Sequence, residues 1–300
     1  MAGREKAVAR LALVTGAIVW GMIWYPYRLL EHAGLSGLRA SVLSYLIALI
    51  VGLLLLNSPL RKQRGWRLSP MLLLIGFAAG ACNLGYVLAT LHGEVMRVLL
   101  LFYLAPLWTV VWSRLLLKER LNRAGAAVIA LSLSGALTML WRPELGAPWP
   151  ANGAEWLGLG AGFMFALSNV LVRQADHLSI EIKSLAVFVG VVLLGLAVMP
   201  LDIQPPGGTL GLLQMQAGHW ATLCLLGLIL LVINLVVQHG LTHTPANQAV
   251  VIFMFELVVA AWSSWLLAGE SMGIQEWTGG AMIIAASLFS GNMETETRCA

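Results

Sequence analysis

Apolar and polar positions alternate along this chain in blocks of about twenty residues, far longer than the repeat of an amphipathic helix or a half-buried strand. Ten mostly apolar segments result: 9–30, 36–57, 69–90, 95–117, 123–141, 154–173, 180–200, 219–240, 246–268 and 275–292. A helix of about 20 residues, rising 1.5 Å per residue, crosses the hydrocarbon of a bilayer. Each segment is therefore predicted to be a transmembrane helix. Stretches such as "NSPLRKQRGWRLSP", "RPELGAPWPANGAE" and "PLDIQPPGG" carry the charges and turn formers of the connections. The N-terminal "MAGREKAVARLALVTGAIVW" starts basic and becomes apolar, as an export signal does. Its apolar run is too long and offers no small-residue cleavage site, so it is expected to stay as the first helix.

Composition sharpens this picture. Hydrophobic residues make up 59% of the chain and charged ones only 11%, against about 25% charged in soluble proteins. The formal charge of +4 concerns topology, because the basic residues sit in short connections, and it implies no nucleic-acid partner. With the N-terminus inside, the inner segments hold Arg4, Lys6, Arg10, Arg61, Lys62, Arg64, Arg67, Arg114, Lys118, Arg120, Arg123, Arg173, Lys183 and Arg298. The outer ones hold Arg28, Arg39, Arg97 and Arg142. Basic residues favour the cytoplasmic side, and ten crossings return the chain to its starting side, so both termini are expected to be cytoplasmic. Cys82, Cys224 and Cys299 follow no metal or disulfide spacing and are read as free thiols.

The halves of the chain are related. At an offset of 151 residues, "NLGYVLATLHGEVMRVLLLFYLAP" (83–106) lies over "NLVVQHGLTHTPANQAVVIFMFEL" (234–257), pairing Asn83 with Asn234 and His92 with His243. The same offset carries Glu119 onto Glu270. At an offset of 145, "WGMIWYPYR" (20–28) matches "FALSNVLVR" (165–173), aligning Trp20 with Phe165. Five helices per half is an odd number, so the second half enters the membrane from the opposite face. The expected fold is thus an all-α integral membrane protein of ten transmembrane helices in two inverted five-helix repeats, 1–148 and 149–300. Secondary transporters are often built this way, with a substrate site near the midplane between the halves.

Two further stretches, "LAPLWTVVWSRLLLKERL" (104–121) and "FELVVAAWSSWLLAGESM" (255–272), with the lead-ins "ATLHGEVMRVLL" and "GLTHTPANQAVV", resemble the drug/metabolite transporter superfamily, in its EamA-type branch. The resemblance spans the whole chain. Within the branch, the Trp-rich "WGMIWY" and the overall length are similar to the bacterial aromatic amino acid exporters. Where the family usually has a Glu-Pro pair, this chain has Glu256-Leu257, and the first half keeps Pro106 with Ala105 in place of the acid. The resemblance implies export of small metabolites and no cofactor.

A transport site is expected to place polar and aromatic groups at depths where lipid-facing positions are aliphatic. The candidates are Trp20 and Trp24 on the first helix, Asn83 and Tyr86 on the third, and Phe102, Tyr103 and Pro106 on the fourth. In the second half they are Ser168 and Asn169, Asn234 and Gln238, and Gln248 and Glu256, with Asn247 beside them. Amides also serve as glue between membrane helices, and Trp66, Trp141, Trp149, Trp156, Trp220 and Trp277 are read as interface anchors. "GLGAG" (158–162) and the Gly125, Ser132, Gly135 series are read as close-packing surfaces. Glu256 has three readings: a hydrogen-bonded brace, a proton-coupling acid, or a substrate contact.

His239 and His243 have the i, i+4 spacing of paired metal ligands, but no acid follows the first as a zinc-protease helix requires. No metal site is expected. Phosphate carriers need fixed cations, and no Lys or Arg lies at central depth. The expected function is export of amino acids, aromatic or hydrophobic ones first (Phe, Trp, Tyr, Met), across a bacterial inner membrane by alternating access. A multidrug or cationic-compound exporter is the alternative, and an intramembrane metal enzyme a weaker one. The expected partners are a small-molecule substrate and the lipid bilayer, with the oligomeric state, monomer or otherwise, left open.

Overall fold

The structure is a computed structural model that describes residues 2–56, 69–145, 149–201, 215–269, 271–293 and 295–296. Arg61, Lys62, Arg64, Trp66, Arg67, Glu270, Arg298 and Cys299 lie outside the described residues.

The first half comprises α1 (Ala2–Met22), α2 (Trp24–His32), α3 (Gly37–Leu55), α4 (Pro70–His92), α5 (Val95–Phe102), α6 (Ala105–Trp112) and α7 (Arg123–Leu140). The second comprises α8 (Gly153–Gln174), α9 (Ile180–Val198), α10 (Ala217–His243), α11 (Ala246–Phe253), α12 (Phe255–Ala268) and α13 (Ile274–Phe289). Nine helical stretches among the described residues are long and apolar enough to cross a membrane, with α1–α2 counting as one and α5–α6 and α11–α12 as one each. The tenth expected segment forms α13, only 16 residues long, extended by a 3-10 turn at Ser290–Asn292. The expected first helix is interrupted: α1 ends at Met22 and α2 begins at Trp24, so Trp20 and Trp24 sit on different helices.

Local chemistry sets the starts. Ser36, Ser69, Asn122, Asn152 and Ser179 each precede a helix and accept from the backbone N–H three residues on, satisfying donors that the first turn leaves open. The ends recur across the halves. α5 and α11 each have eight residues, and both their bounds differ by 151. The left-handed residues that follow α6 and α12, Lys118 (φ 58°) and Gly269 (φ 69°), also differ by 151.

Each half supplies the packing of the other. α4 lies against α8 and α9, and α10 lies against α1 and α3, while α7 packs on α13. Close approach depends on missing side chains: a Cβ on Gly190 of α9 would overlap the carbonyl oxygen of Gly76 on α4, and Gly135 and Gly279 face each other in the same way between α7 and α13. Gly158 and Gly162 let α8 approach α5 at Val98 and Phe102, as the small-residue series predicts, whereas Gly160 of the same motif faces open space. Leu54, Leu115, Val232 and Leu288 are exposed, the surface a bilayer requires.

A two-residue antiparallel pairing of Arg120–Leu121 with Thr295–Glu296 departs from an all-helical chain and joins the C-terminal segment to the α6–α7 connection. Arg10 of α1 lies beside Gly291. The N-terminal part of α1, the described C-terminal segment and the α6–α7 connection therefore share one end of the bundle, called here the terminal end.

Candidate functional site

Two spans are broken at equivalent points. Between α5 and α6, Pro106 has no N–H to give the Phe102 carbonyl, and the helix interrupts at Tyr103–Leu104. Between α11 and α12 the interruption falls at Met254, 151 residues after Tyr103, although Leu257 stands where the proline would be. Leu257 donates to the carbonyl of Met254 three residues back, at 3.1 Å, tightening the turn. The break persists without the residue that would force it.

The two breaks meet around a small cavity of about 10 Å³, lined by Phe102, Tyr103, Ala105, Phe165, Val250, Phe253, Met254 and Glu256, room for about one water. Phe102 and Phe253, Tyr103 and Met254, and Ala105 and Glu256 are pairs at the offset of 151, so the cavity lies at the junction of the halves. A chain of rings runs past it: Trp20 to Phe253 (5.4 Å between centroids), Phe253 to Phe165 (5.7 Å), Phe165 to Phe102 (5.6 Å) and Phe102 to Tyr86 (5.1 Å). The contact of Trp20 with Phe253 repeats that of Phe165 with Phe102. Such edge-on and tilted pairs hold one another in register.

Glu256 lies in the first turn of α12, where the helix dipole favours negative charge. Tyr103 lines the same cavity beside its carboxylate, Cys82 and Tyr86 lie within its field, and no cationic side chain among the described residues sits against it. The cavity thus presents one carboxylate and otherwise apolar or aromatic walls.

Of the residues singled out from sequence, Phe102, Tyr103 and Glu256 line the cavity, and Trp20 and Tyr86 join it through the ring chain. Pro106 breaks the helix behind it. The others sit elsewhere. Trp24 donates to the Ser263 hydroxyl (2.9 Å), takes the Arg28 guanidinium over its ring, and lines an open pocket of about 190 Å³ with Tyr25, His32 and Leu267 at the end opposite the termini. Asn83 accepts from Ser41 (2.8 Å). Ser168, Asn169, Asn234, Gln238 and Gln248 are buried toward the terminal end, and none of them lines the cavity. The Nδ2 of Asn169, Oδ1 of Asn234, Oε1 of Gln238 and Nε2 of Gln248 have no hydrogen-bond partner among the described residues. The expectation missed Phe165, Val250, Phe253 and Met254. Two of these were marked by the repeat, which sets Phe165 against Trp20 and Phe253 against Phe102.

Polar contacts tie the halves at both ends. Opposite the termini, Arg97 of α5 pairs with Glu155 of α8 through two hydrogen bonds (2.8 and 2.9 Å), while Ala151 and Asn152 also donate to that carboxylate. At the terminal end, Asn247 of α11 donates to Ser113 Oγ (3.0 Å), and Glu119, 6% exposed, is buried near the start of α11 with no hydrogen-bond partner for its Oε2 among the described residues. Burial pushes this carboxyl above the usual carboxylate range, and the Arg173 guanidinium and the Ala246 N–H draw it back. Within the second half, the buried Lys183 donates to Thr242 Oγ1 (2.5 Å) and the Val172 carbonyl (3.3 Å). The rings of His239 and His243 are 4.4 Å apart, and among the described residues no third ligand completes a group around them.

The EamA-like transporter family's sequence model matches the chain twice, over residues 8–141 and 152–291. The chain belongs to the EamA-like transporter family. It is a duplicated, membrane-spanning transporter of the drug/metabolite transporter superfamily. Among curated proteins it is similar to the pseudopaline exporter CntI of Pseudomonas aeruginosa, 26% identical over 238 residues covering 76% of this chain and 78% of that protein. It is also 30% identical over 170 residues to an uncharacterized transporter of the same species, covering 54% of this chain and 53% of that one. A crystal structure superposes with a TM-score of 0.71 at 16% identity, covering 94% of this chain and 96% of the other, a likeness of fold. The expected family membership stands. The nearer likeness to aromatic amino acid exporters finds no support among these relatives, which include exporters named for another compound.

Proposed function

We propose that this transporter exports amino acids or closely related amine-bearing metabolites across a bacterial inner membrane, moving them through the cavity where its two broken spans meet. The carrying observation is the Glu256 carboxylate, set beside Tyr103 and unmatched by any cation among the described residues, inside a ring of Phe102, Phe165 and Phe253. A substrate ammonium supplies the missing positive charge, and the rings take an apolar or aromatic side chain. Tyr86 and Trp20 extend the apolar wall. Ser168, Asn169, Asn234, Gln238 and Gln248, with amide atoms unsatisfied in this state, offer polar contacts when the cavity opens toward them.

In this reading the halves, 1–148 and 149–300, are inverted repeats of five spans each, with α13 as the tenth crossing and both termini cytoplasmic. Recurrence of the helix ends at an offset of 151 supports the repeat, and the bias of basic residues supports the orientation. The halves rock about the cavity in alternating access. The exporter name of the pseudopaline relatives supports outward movement of a small metabolite.

The same carboxylate and rings favour a second reading, a cationic-compound exporter, because a carboxylate among aromatic faces also suits a permanent cation. Proteoliposomes loaded with labelled Phe, Trp, Tyr or Met, alongside others loaded with a cationic dye, separate the two. Flux of one or more amino acids above protein-free vesicles is expected. Flux of the dye with none of the four amino acids moving establishes the second reading instead.

A further inference from the structure

The short helix α2 carries its polar chemistry on one stripe. Trp24, Arg28 and His32 are spaced four residues apart, which stacks them on one helix face, with Tyr25 and Leu29 beside them. Just before it, α1 is pressed against α12 at Gly21, where a Cβ would overlap the Glu256 carbonyl oxygen and the Val259 side chain. Past the break at Ile23 the seam opens. Trp24, Tyr25, Arg28, Leu29 and His32 then face Leu267 and Ala268, at the end of α12, across the open pocket of about 190 Å³. Trp24 bridges the gap one turn before Leu267, donating to Ser263 Oγ (2.9 Å), which itself reaches the Gly21 carbonyl (3.0 Å).

The lining suits an anion with an apolar body. Arg28, Arg97 and Arg142 all stand at the end opposite the termini, and two of them are matched, Arg97 by Glu155 and Arg142 by Glu276. Arg28 is instead held over the Trp24 ring, 5.9 Å from its centroid, with Tyr25 edge-on to the same ring at 5.6 Å. Among the described residues no acid lines the pocket. A guanidinium fork takes two oxygens of a phosphate or carboxylate at once, and the His32 imidazole and Tyr25 hydroxyl add donors. The rim is apolar, since Leu29 and Leu267 are both exposed.

Trp and Tyr at the end of a span mark the bilayer interface, the depth at which basic pockets between helices take lipid headgroups. A soluble anion uses only the guanidinium, whereas a phospholipid uses the guanidinium and the apolar rim together. With no acid in the lining, a headgroup ammonium finds no counter-charge, so an anionic headgroup fits better than a zwitterionic one. We propose that this pocket seats the phosphate of an anionic phospholipid, which bridges α2 and the end of α12 where the two helices part. The site is separate from the cavity at Glu256 and independent of the substrate proposed above.

The test uses the full-length protein purified in mild detergent, given phosphatidylglycerol and weighed by native mass spectrometry. Wild-type protein is expected to retain phosphatidylglycerol several-fold better than Arg28→Gln, and Arg28→Lys to fall between them, because a point charge replaces the fork. Arg142→Gln, at an arginine already paired with Glu276, is expected to retain as much as wild type. Equal retention by wild type and Arg28→Gln, or equal losses from Arg28→Gln and Arg142→Gln as a diffuse charge effect gives, overturns the site. A second measurement needs no substitution: phosphatidylglycerol is expected to raise the melting temperature of the wild-type protein more than phosphatidylethanolamine does at the same molar ratio, with inorganic phosphate and phenylalanine leaving that gain unchanged. Equal protection by the two lipids overturns the preference for an anionic headgroup. Displacement of the bound lipid by phosphate or phenylalanine overturns the lipid as occupant and makes the pocket a site for a soluble anion. None of these readouts involves transport, so a failure of the proposed substrate leaves them standing.

Discussion

A carboxylate at the centre of a membrane span costs about 2.5–3.5 kcal/mol on insertion scales, and a chain keeps one when something offsets that cost. For Glu256 the offsets in place are the neighbouring Tyr103 and the first turn of α12, and in the proposed function a substrate ammonium is the third. Glu256→Gln preserves volume and an acceptor for Tyr103 but removes the charge, so flux is expected to fall at least tenfold with a melting temperature within about 2 °C of wild type, as measured by transport assay and thermal unfolding of the purified protein. Normal flux with a large drop in melting temperature identifies a brace instead. The acid, Phe102 and Tyr103 were legible in the sequence because polarity and aromaticity stand out in an apolar span. Phe165 and Phe253 were not, since a phenylalanine facing the cavity and one facing lipid look alike until the repeat pairs them with Trp20 and Phe102. The buried amides show the limit of the same signal: their depth is visible in the sequence, while their distance from the cavity is not.

Among the elements, the broken spans are the informative case. Pro106 explains the first break, yet the second falls at the equivalent point with Leu257 in that place. Packing at the junction, including the approach of Gly162 to the Phe102 carbonyl, therefore sets the break, with proline a consistent choice and no requirement. Pro106→Leu is expected to fold normally and to keep flux within about twofold, because an N–H that finds a carbonyl three residues back costs little, about the few tenths to one kcal/mol of one exchanged hydrogen bond. Loss of the folded protein in size-exclusion chromatography contradicts this. Helix contacts are less forgiving. Gly190→Leu drives a side chain into the backbone of α4 at Gly76 and is expected to cost about 1–3 kcal/mol or more, as overpacking does, whereas Gly160→Leu, facing open space, is expected to be neutral in the same melting experiment. The sequence marks both as small residues in apolar runs and leaves their facing open.

At the scale of the whole molecule, the span pattern carried most of the fold. Most predicted and observed bounds agree within a few residues, with the early start of α1 at Ala2, the breaks at Ile23 and Met254, the short α13 and the strand pairing of Arg120–Leu121 with Thr295–Glu296 as the departures. Hydropathy reads thickness well because a bilayer imposes one length on every crossing. It does not read kinks such as those at Tyr103–Leu104 and Met254. The bias of basic residues predicts both termini inside: a fluorescent protein fused to the C-terminus is expected to mature and fluoresce, and a periplasmic phosphatase fused there to stay inactive. The reverse result contradicts the orientation.

The central claim, that an amine-bearing metabolite is held by Glu256 and the surrounding rings where the halves meet, is tested most directly by counterflow. Vesicles preloaded with unlabelled phenylalanine or methionine and diluted into the labelled compound are predicted to accumulate label transiently with wild-type protein and not with Glu256→Gln. Equal accumulation by both proteins contradicts the claim.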